Sequence, residues 1–509
     1  MTTKKGIIFL LFFIFFQLNF ALAQNELSLE DKRGVTVITH GFAAGGNLSE
    51  EWINFAKAVR KRAGKGSVFI NHPETGLWEA VDDQNTNNKE DEIIFIYDWA
   101  WASDNLRSGY LDACADHLFA ALLNPPKELN LNHTTALLEK PLHLIGHSRG
   151  AILLNVLAHK IGWYFKASPQ IRIEQFTLID PHPAGPMGDC DLPGILGLCP
   201  PPKDYESKDI SLNLPRCVVR ADNYFRQDGV YEDLITNKNF GPHDGISVSG
   251  LRGCNFQLND KSLTYGSSTM GGAHASIATR WYYGTIDFEN EYNHPIVESW
   301  YVEDDKFPAM GPRQKTGYFY SRLGGGIMPE PVLEEDKIEA VMPQNLLFNG
   351  DFKVERILWK GKIPGWEGNG AAGEAKLSPQ KYGDELAIRL ERPKFNILKK
   401  SIHFRQHSLS YFPENIEGFT YEIQLEYEVK NKTKGNNSLK VSFFFPDNTE
   451  EIILKEINLS ETKTDFKTVY IPTNPKMLGK VGAIRISLEG EDNNCMIDVK
   501  SVRLLKVAK

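Results

Sequence analysis

PLHLIGHSRGAILLNVLAHKIG, residues 141–162, joins a short apolar run to a long apolar-periodic one through a GxSxG turn. Leu142 to Ile145 reads as a buried strand and Ala151 to Ile161 as a helix, with Ser148 at the corner between them. Gly146 and Gly150 flank the serine, where so tight a turn has little room for a side chain. The corner lifts the Ser148 hydroxyl above the strand ends, beside the positive end of the following helix. A serine placed this way points to nucleophilic chemistry. That chemistry needs a histidine to take the serine proton and a carboxylate to orient the histidine.

The order expected along the chain is serine, acid, histidine. Asp180 follows the apolar run FTLI, and Asp222 lies in VVRADNYF after the next run. Both fall at carboxyl ends of expected strands, where open α/β sheets build their sites, and either can serve as the acid. The histidines after both acids are His243, His274, His294, His403 and His407. His274, in GGAHASIATRWYYG, follows a glycine-rich turn and precedes a helical stretch, so it is the expected base. His243 has no special placement, His294 falls beyond the last expected helix, and the other two belong to the second half. Thr39-His40-Gly41-Phe42 follows the first clear strand, and the Phe42 and Arg149 N–H groups are the expected oxyanion donors. His40 and His147 read as supports of these turns rather than as bases.

From Gly34 to about Gly284, strand runs alternate with helical stretches, the pattern of an α/β fold with a mainly parallel sheet covered on both faces. The strands read as Val35–Thr39, Ile93–Tyr97, Leu142–Ile145, Phe176–Ile179 and Cys217–Arg220, and the flanking helices as Glu50–Lys61 and Leu111–Leu123. Leu323 to Gln344 carries three glycines, three prolines and an acidic run, and reads as a linker. Beyond it, YEIQLEYEV, LKVSFFF and AIRISLE alternate apolar and polar residues at a period of two, the pattern of an all-β sandwich. The expected organisation is a leader at 1–23, a catalytic domain at 24–322, a linker at 323–344 and a β-sandwich at 345–509.

Lys4 and Lys5, an apolar run from Gly6 to Phe16, and Ala21-Leu22-Ala23 before Gln24 together read as a signal peptide. The expected location is therefore secreted or periplasmic. No later segment approaches the roughly 20 apolar residues that a membrane span needs. Residues 345–509 hold 26 Lys and Arg against 22 Asp and Glu, while the rest hold 31 against 43. The acidic first half argues against nucleic acid as partner. Of the six cysteines, Cys190 with Cys199 and Cys217 with Cys254 are the expected disulfide pairs, and Cys114 and Cys495 read as buried thiols. No cysteine or histidine spacing suggests zinc.

THGF, IIFIYDWAWASDN, LHLIGHSRGA and LIDPHPAGP together resemble the successive blocks of pancreatic-type lipases in the α/β-hydrolase superfamily. The resemblance covers roughly Gly34 to Gly284. It implies Ser148 as nucleophile, Asp180 as acid and His274 as base, whereas the more widespread arrangement of the superfamily places the acid one strand later, at Asp222. Two features depart from the pattern. Arg149 stands where these lipases carry an aliphatic residue, and the Cys190 to Cys199 loop, with Ile195, Leu196 and Leu198, is the only lid candidate. NLLFNGDF, IPGWE and MIDVKSVRLL resemble carbohydrate-binding modules of the galactose-binding-like jelly-roll type. That resemblance implies a glycan partner, stacked on Trp359, Trp366, Tyr411, Phe412 or Tyr421, and a structural calcium with Asp351 and Asp498 as candidate ligands.

The leading expectation is an exported ester hydrolase acting through an acyl-enzyme on lipid or other carboxylic esters, with no cofactor needed for catalysis. A carbohydrate esterase directed to acylated polysaccharide by its second half is the alternative. The rival from another class is a non-catalytic surface-binding protein.

Overall fold

The structure is a computed structural model. It describes residues 32–42, 48–71, 78–86, 88, 90–103, 110–123, 125, 137–165, 170–183, 212–226, 245–251, 254–258, 274, 277–289, 317–341, 347, 352, 366–368, 378–382, 385–391, 401–406, 410–412, 419–431, 436–445, 450–459, 465–490 and 495–508. The expected leader, the 190–199 lid candidate, His243, His294, His407, Trp359 and Asp351 lie outside these residues.

In chain order the first half contains β1 (Val35–Thr39), α1 (Glu50–Ala63), β2 (Gly66–Asn71), β3 (Trp78–Ala80), β4 (Glu92–Tyr97), α2 (Ala100–Ser103) and α3 (Tyr110–Leu123). It continues with β5 (Leu142–His147), α4 (Arg149–Tyr164), β6 (Ile173–Ile179), β7 (Val218–Phe225) and β8 (Asn255–Gln257). A π-helical turn, Ile277–Tyr282, then runs into α5 (Tyr283–Ile286). The strands make one sheet ordered β3-β2-β4-β1-β5-β6-β7-β8. β1, β4 and β5 are buried along their whole length because both faces of the sheet are covered. Val35, Val37, Leu142, Leu144 and Phe176 meet α3 and α4 on one side, while Ile38, Ile94, Ile96 and Ile145 meet α1 and the 277–286 helix on the other.

The second half is built of β9 (Trp366–Gly368), β10 (Ser378–Tyr382), β11 (Glu385–Glu391), β12 (Ser401–Gln406), β13 (Ser410–Phe412) and β14 (Phe419–Val429). It ends with β15 (Asn437–Phe444), β16 (Glu451–Asn458), β17 (Lys467–Pro472), β18 (Lys480–Gly490) and β19 (Met496–Ala508). Two antiparallel sheets result, β10-β11-β19-β14-β17 and β16-β15-β18-β12-β9, with β13 paired to β18. The period-two pattern buries Tyr421, Ile423, Leu425, Tyr427 and Val429 of β14 against Val441 and Phe443 of β15 and Ile484, Ile486 and Leu488 of β18.

The expected fold class, an α/β-hydrolase fold followed by a jelly roll, is corrected here. Strand outweighs helix among the described residues, and eleven of the nineteen strands lie in the two antiparallel sheets. The first sheet is itself mixed, since β3 runs antiparallel to β2. The molecule is mostly β. Periodicity hid part of this: β2 opens on a glycine and ends on an asparagine, and β3 and β8 are three residues each, too short to show a period.

The stretch 323–344, expected to be a linker, is packed along the first sheet as far as the described residues run. The Val332 N–H donates to the Val219 carbonyl at 2.9 Å, the Ile338 N–H to that of Leu214 at 2.9 Å, and the Val341 N–H to His159 Nδ1 at 3.1 Å. Just before it, Arg322 is buried on the Glu92 carboxylate and the Thr36 hydroxyl. Cys217 and Cys254 are separate thiols rather than a disulfide, and Cys114 and Cys495 are buried.

Candidate active site

Register brings the candidate residues to one edge. Thr39 of β1 pairs with Gly146 of β5, and His147 of β5 pairs with Ile179 of β6, so three neighbouring parallel strands end level. The residues that follow are His40-Gly41-Phe42, Ser148 and Asp180. Adjacent strands lie about 4.8 Å apart, which makes these groups neighbours without long-range loop ordering. The Ser148 N–H donates to the Ile179 carbonyl at 2.9 Å, tying the serine corner to the strand that carries Asp180.

Both corners are strained. Ser148 has φ 55° and Asp180 has φ 47°, two of the three described non-glycine residues with positive φ. Such conformations cost about 1–3 kcal/mol each and persist only where the surroundings fix them. The glycines supply that fit. A Cβ on Gly41 would lie 2.4 Å from the Ser148 Cβ, one on Gly146 would lie 2.5 Å from the Ala151 Cα, and one on Gly150 would lie 2.2 Å from the His40 carbonyl oxygen.

The structure brings His274 and Asp180 together and leaves Asp222 elsewhere. His274 Nδ1 meets Asp180 Oδ2 at 2.5 Å, while the Arg226 N–H donates to Asp180 Oδ1 at 2.8 Å. Asp180 is wholly buried. Burial pushes its carboxyl up to about 6, and the Arg226 amide and guanidinium pull the other way. Asp222 lies within β7 rather than after it, and accepts from Gln175 Nε2 at 3.0 Å and Thr177 Oγ1 at 2.8 Å. Its carboxyl is also pushed to about 6 by burial.

The oxyanion side is held by His40 together with Trp99 and Ser103, which the sequence reading did not single out. His40 Nδ1 contacts the Gly41 carbonyl at 2.8 Å, and the Trp99 N–H meets His40 Nε2 at 3.2 Å. An amide can only donate, so Nε2 accepts and the ring proton sits on Nδ1, donating to Gly41. The Phe42 N–H belongs to the same trans peptide as the Gly41 carbonyl and points the opposite way. Trp99 Nε1 also donates to the His40 carbonyl at 2.8 Å. Arg149 is buried, with its guanidinium on the Ser103 carbonyl at 3.0 Å and 5.8 Å from the Trp99 ring centroid. It braces the turn instead of reaching into solvent. The IIFIYDWAWASDN block was the sequence signal for Trp99 and Ser103.

In the second half, Asp498 is buried against Arg389, which donates to its two oxygens at 2.7 and 2.8 Å, with Lys430 at 3.8 Å. The guanidinium occupies the carboxylate that a calcium ion would need. Trp366, Phe412 and Tyr421 are core residues, which removes them as sugar platforms. Tyr411 lies in β13. Tyr470, which the sequence reading passed over, is 58% exposed on β17 opposite Gln424 of β14.

No protein-family model matches the chain, and no curated protein matches it. Solved structures resemble parts of it. An arabinose-bound α-L-arabinofuranosidase, MgGH51, is 15% identical over 32% of this chain and 26% of that chain, with a TM-score of 0.24. A carbohydrate-binding module specific for non-crystalline cellulose, CBM28, is 16% identical over 30% of this chain and 96% of that one, with a TM-score of 0.22. The module TmCBM61, solved with β-1,4-galactotriose, is 15% identical over 32% of this chain and 100% of that one, with a TM-score of 0.22.

Proposed function

We propose that the chain is a serine ester hydrolase that works through an acyl-enzyme. The observation that carries this reading is the 2.5 Å contact of His274 Nδ1 with Asp180 Oδ2, beside the strained Ser148 corner. In the proposed reaction Ser148 Oγ attacks the ester carbonyl and its proton passes to His274 Nε2. The Phe42 and Arg149 N–H groups receive the oxyanion, a contribution of about 3 kcal/mol for one such donor. The tetrahedral intermediate expels the alcohol, which takes the proton from His274, and water then releases the acid by the same steps reversed. Asp180 keeps the imidazole in the tautomer with its proton on Nδ1 and stabilises the imidazolium.

The second reading specifies the ester as an acylated polysaccharide. It is supported by the two-sheet sandwich carried on the same chain and by the exposed Tyr470 ring, which offers a face on which a sugar can stack. A panel of nitrophenyl esters from acetate to palmitate, run beside acetylated xylan, tests both readings. Turnover of the short esters is expected, with acetyl release from xylan under the second reading. Palmitate preferred over every other substrate would contradict the second reading, and no turnover on any ester would contradict both.

A further inference from the structure

His147, the residue before the candidate nucleophile, is buried, and its Nε2 lies 2.9 Å from the main-chain carbonyl oxygen of His274. A carbonyl can only accept, so Nε2 carries the ring hydrogen and Nδ1 is bare. Nδ1 faces Gly41, where a Cβ would come within 3.3 Å of it. The ring is held between Trp52, at 5.8 Å between centroids, and the His274 ring, at 4.6 Å. Burial pushes His147 down to about 3, and repulsion from a charged His274 pushes in the same direction. His147 therefore stays neutral while its neighbour gains and loses a proton.

Two contacts hold different parts of His274. Asp180 holds the side chain through Nδ1, and His147 holds the backbone through the carbonyl. The Asp180 contact fixes one ring nitrogen, whereas the His147 contact fixes the backbone from which the ring hangs. The backbone grip comes from the residue bonded to Ser148, so the same rigid corner carries both the nucleophile and the anchor of the base. We propose that His147 is a positioning residue, which fixes the His274 backbone so that the ring Nε2 faces Ser148. This rests on the serine hydrolase reading above. A displacement of about 1 Å in such a contact costs about 100-fold in rate.

The test uses the full chain with His147→Phe, which keeps an aromatic ring between Trp52 and His274 and loses the donor. It also uses His147→Gln, whose amide reaches as far as Nε2, and His147→Asn, whose amide stops short. The readouts are kcat and KM on nitrophenyl acetate, the rate of labelling by a fluorophosphonate, and the low-field proton resonance of the His274–Asp180 contact. His147→Phe is expected to lower kcat about 10- to 100-fold with KM little changed, and to lose or broaden the resonance. His147→Gln should recover most of kcat and His147→Asn should not. Equal kcat for the Gln and Asn variants, or wild-type kcat and resonance in the Phe variant, would overturn the proposal, and the Gln–Asn comparison stands even if the Phe variant misfolds. A wild-type chain that neither labels nor hydrolyses ester would instead overturn the hydrolase reading. In that case the resonance still reports whether His147 holds His274.

Discussion

Asp180 and Asp222 are both wholly buried carboxylic acids, both raised to about 6, and differ only in what they touch. Asp180 meets His274, and Asp222 meets Thr177 and Gln175. Asp180→Asn should therefore lower kcat on a soluble ester by about 10⁴-fold, the loss seen when an orienting carboxylate is neutralised. Asp222→Asn should leave kcat within a few-fold and show itself in stability. An acid whose folded pKa is raised from 3.8 to about 6 binds more protons folded than unfolded within that window. Its stabilising contribution is full below the lower value and is lost as pH rises through the upper one. The melting temperature of Asp222→Asn relative to wild type should thus increase between pH 4 and pH 7, and a flat difference would contradict this. Ser148 and Asp180 stood out in the sequence because each follows a strand in a short motif, and His274 because it lies between a glycine-rich turn and a helical stretch. Arg226 and the His147 contact with His274 did not, since both run through backbone groups that no residue pattern reveals.

At the scale of elements, β1 and the start of α1 fall where apolar periodicity puts them. The expected strand ending at Arg220 runs on to Phe225 as β7. Its polar residues Asp222 and Asn223 read as loop, yet they satisfy each other's neighbours inside the fold: Asp222 with Thr177, and Asn223 with Asn255. The 323–341 segment misled for the opposite reason. Its glycines and prolines look like a spacer, but its backbone is hydrogen-bonded to the start of β7, and Arg216 pairs with Glu334 and Glu339 across the contact. A chain ending at residue 322 should accordingly melt lower than one ending at 344, because it loses these bonds and the burial of Val332. Equal melting temperatures would mean that the segment contributes nothing to the first half.

Across the whole molecule, the second half docks far from the candidate active site. Ser148 lies at the start of α4, whereas Trp163 near its end packs against the second core and under the Lys506 ammonium, 5.4 Å from the ring centroid. At 1.5 Å of rise per residue, the two ends are about 22 Å apart. Ser148 and Asp180 follow the carboxyl ends of the central strands β5 and β6, whereas Trp163 meets the sandwich near the far end of α4. A change of period marks the second half in the sequence, while a contact residue such as Trp163 looks like any other helix position. The proposed hydrolase chemistry requires Ser148 to be an activated nucleophile. Intact-mass and peptide mapping after fluorophosphonate treatment tests it most directly. A single adduct on Ser148, absent in Ser148→Ala and slowed in His274→Ala, is the predicted result. An unmodified wild-type chain, or an adduct carried by a different residue, would rule out Ser148 as the nucleophile.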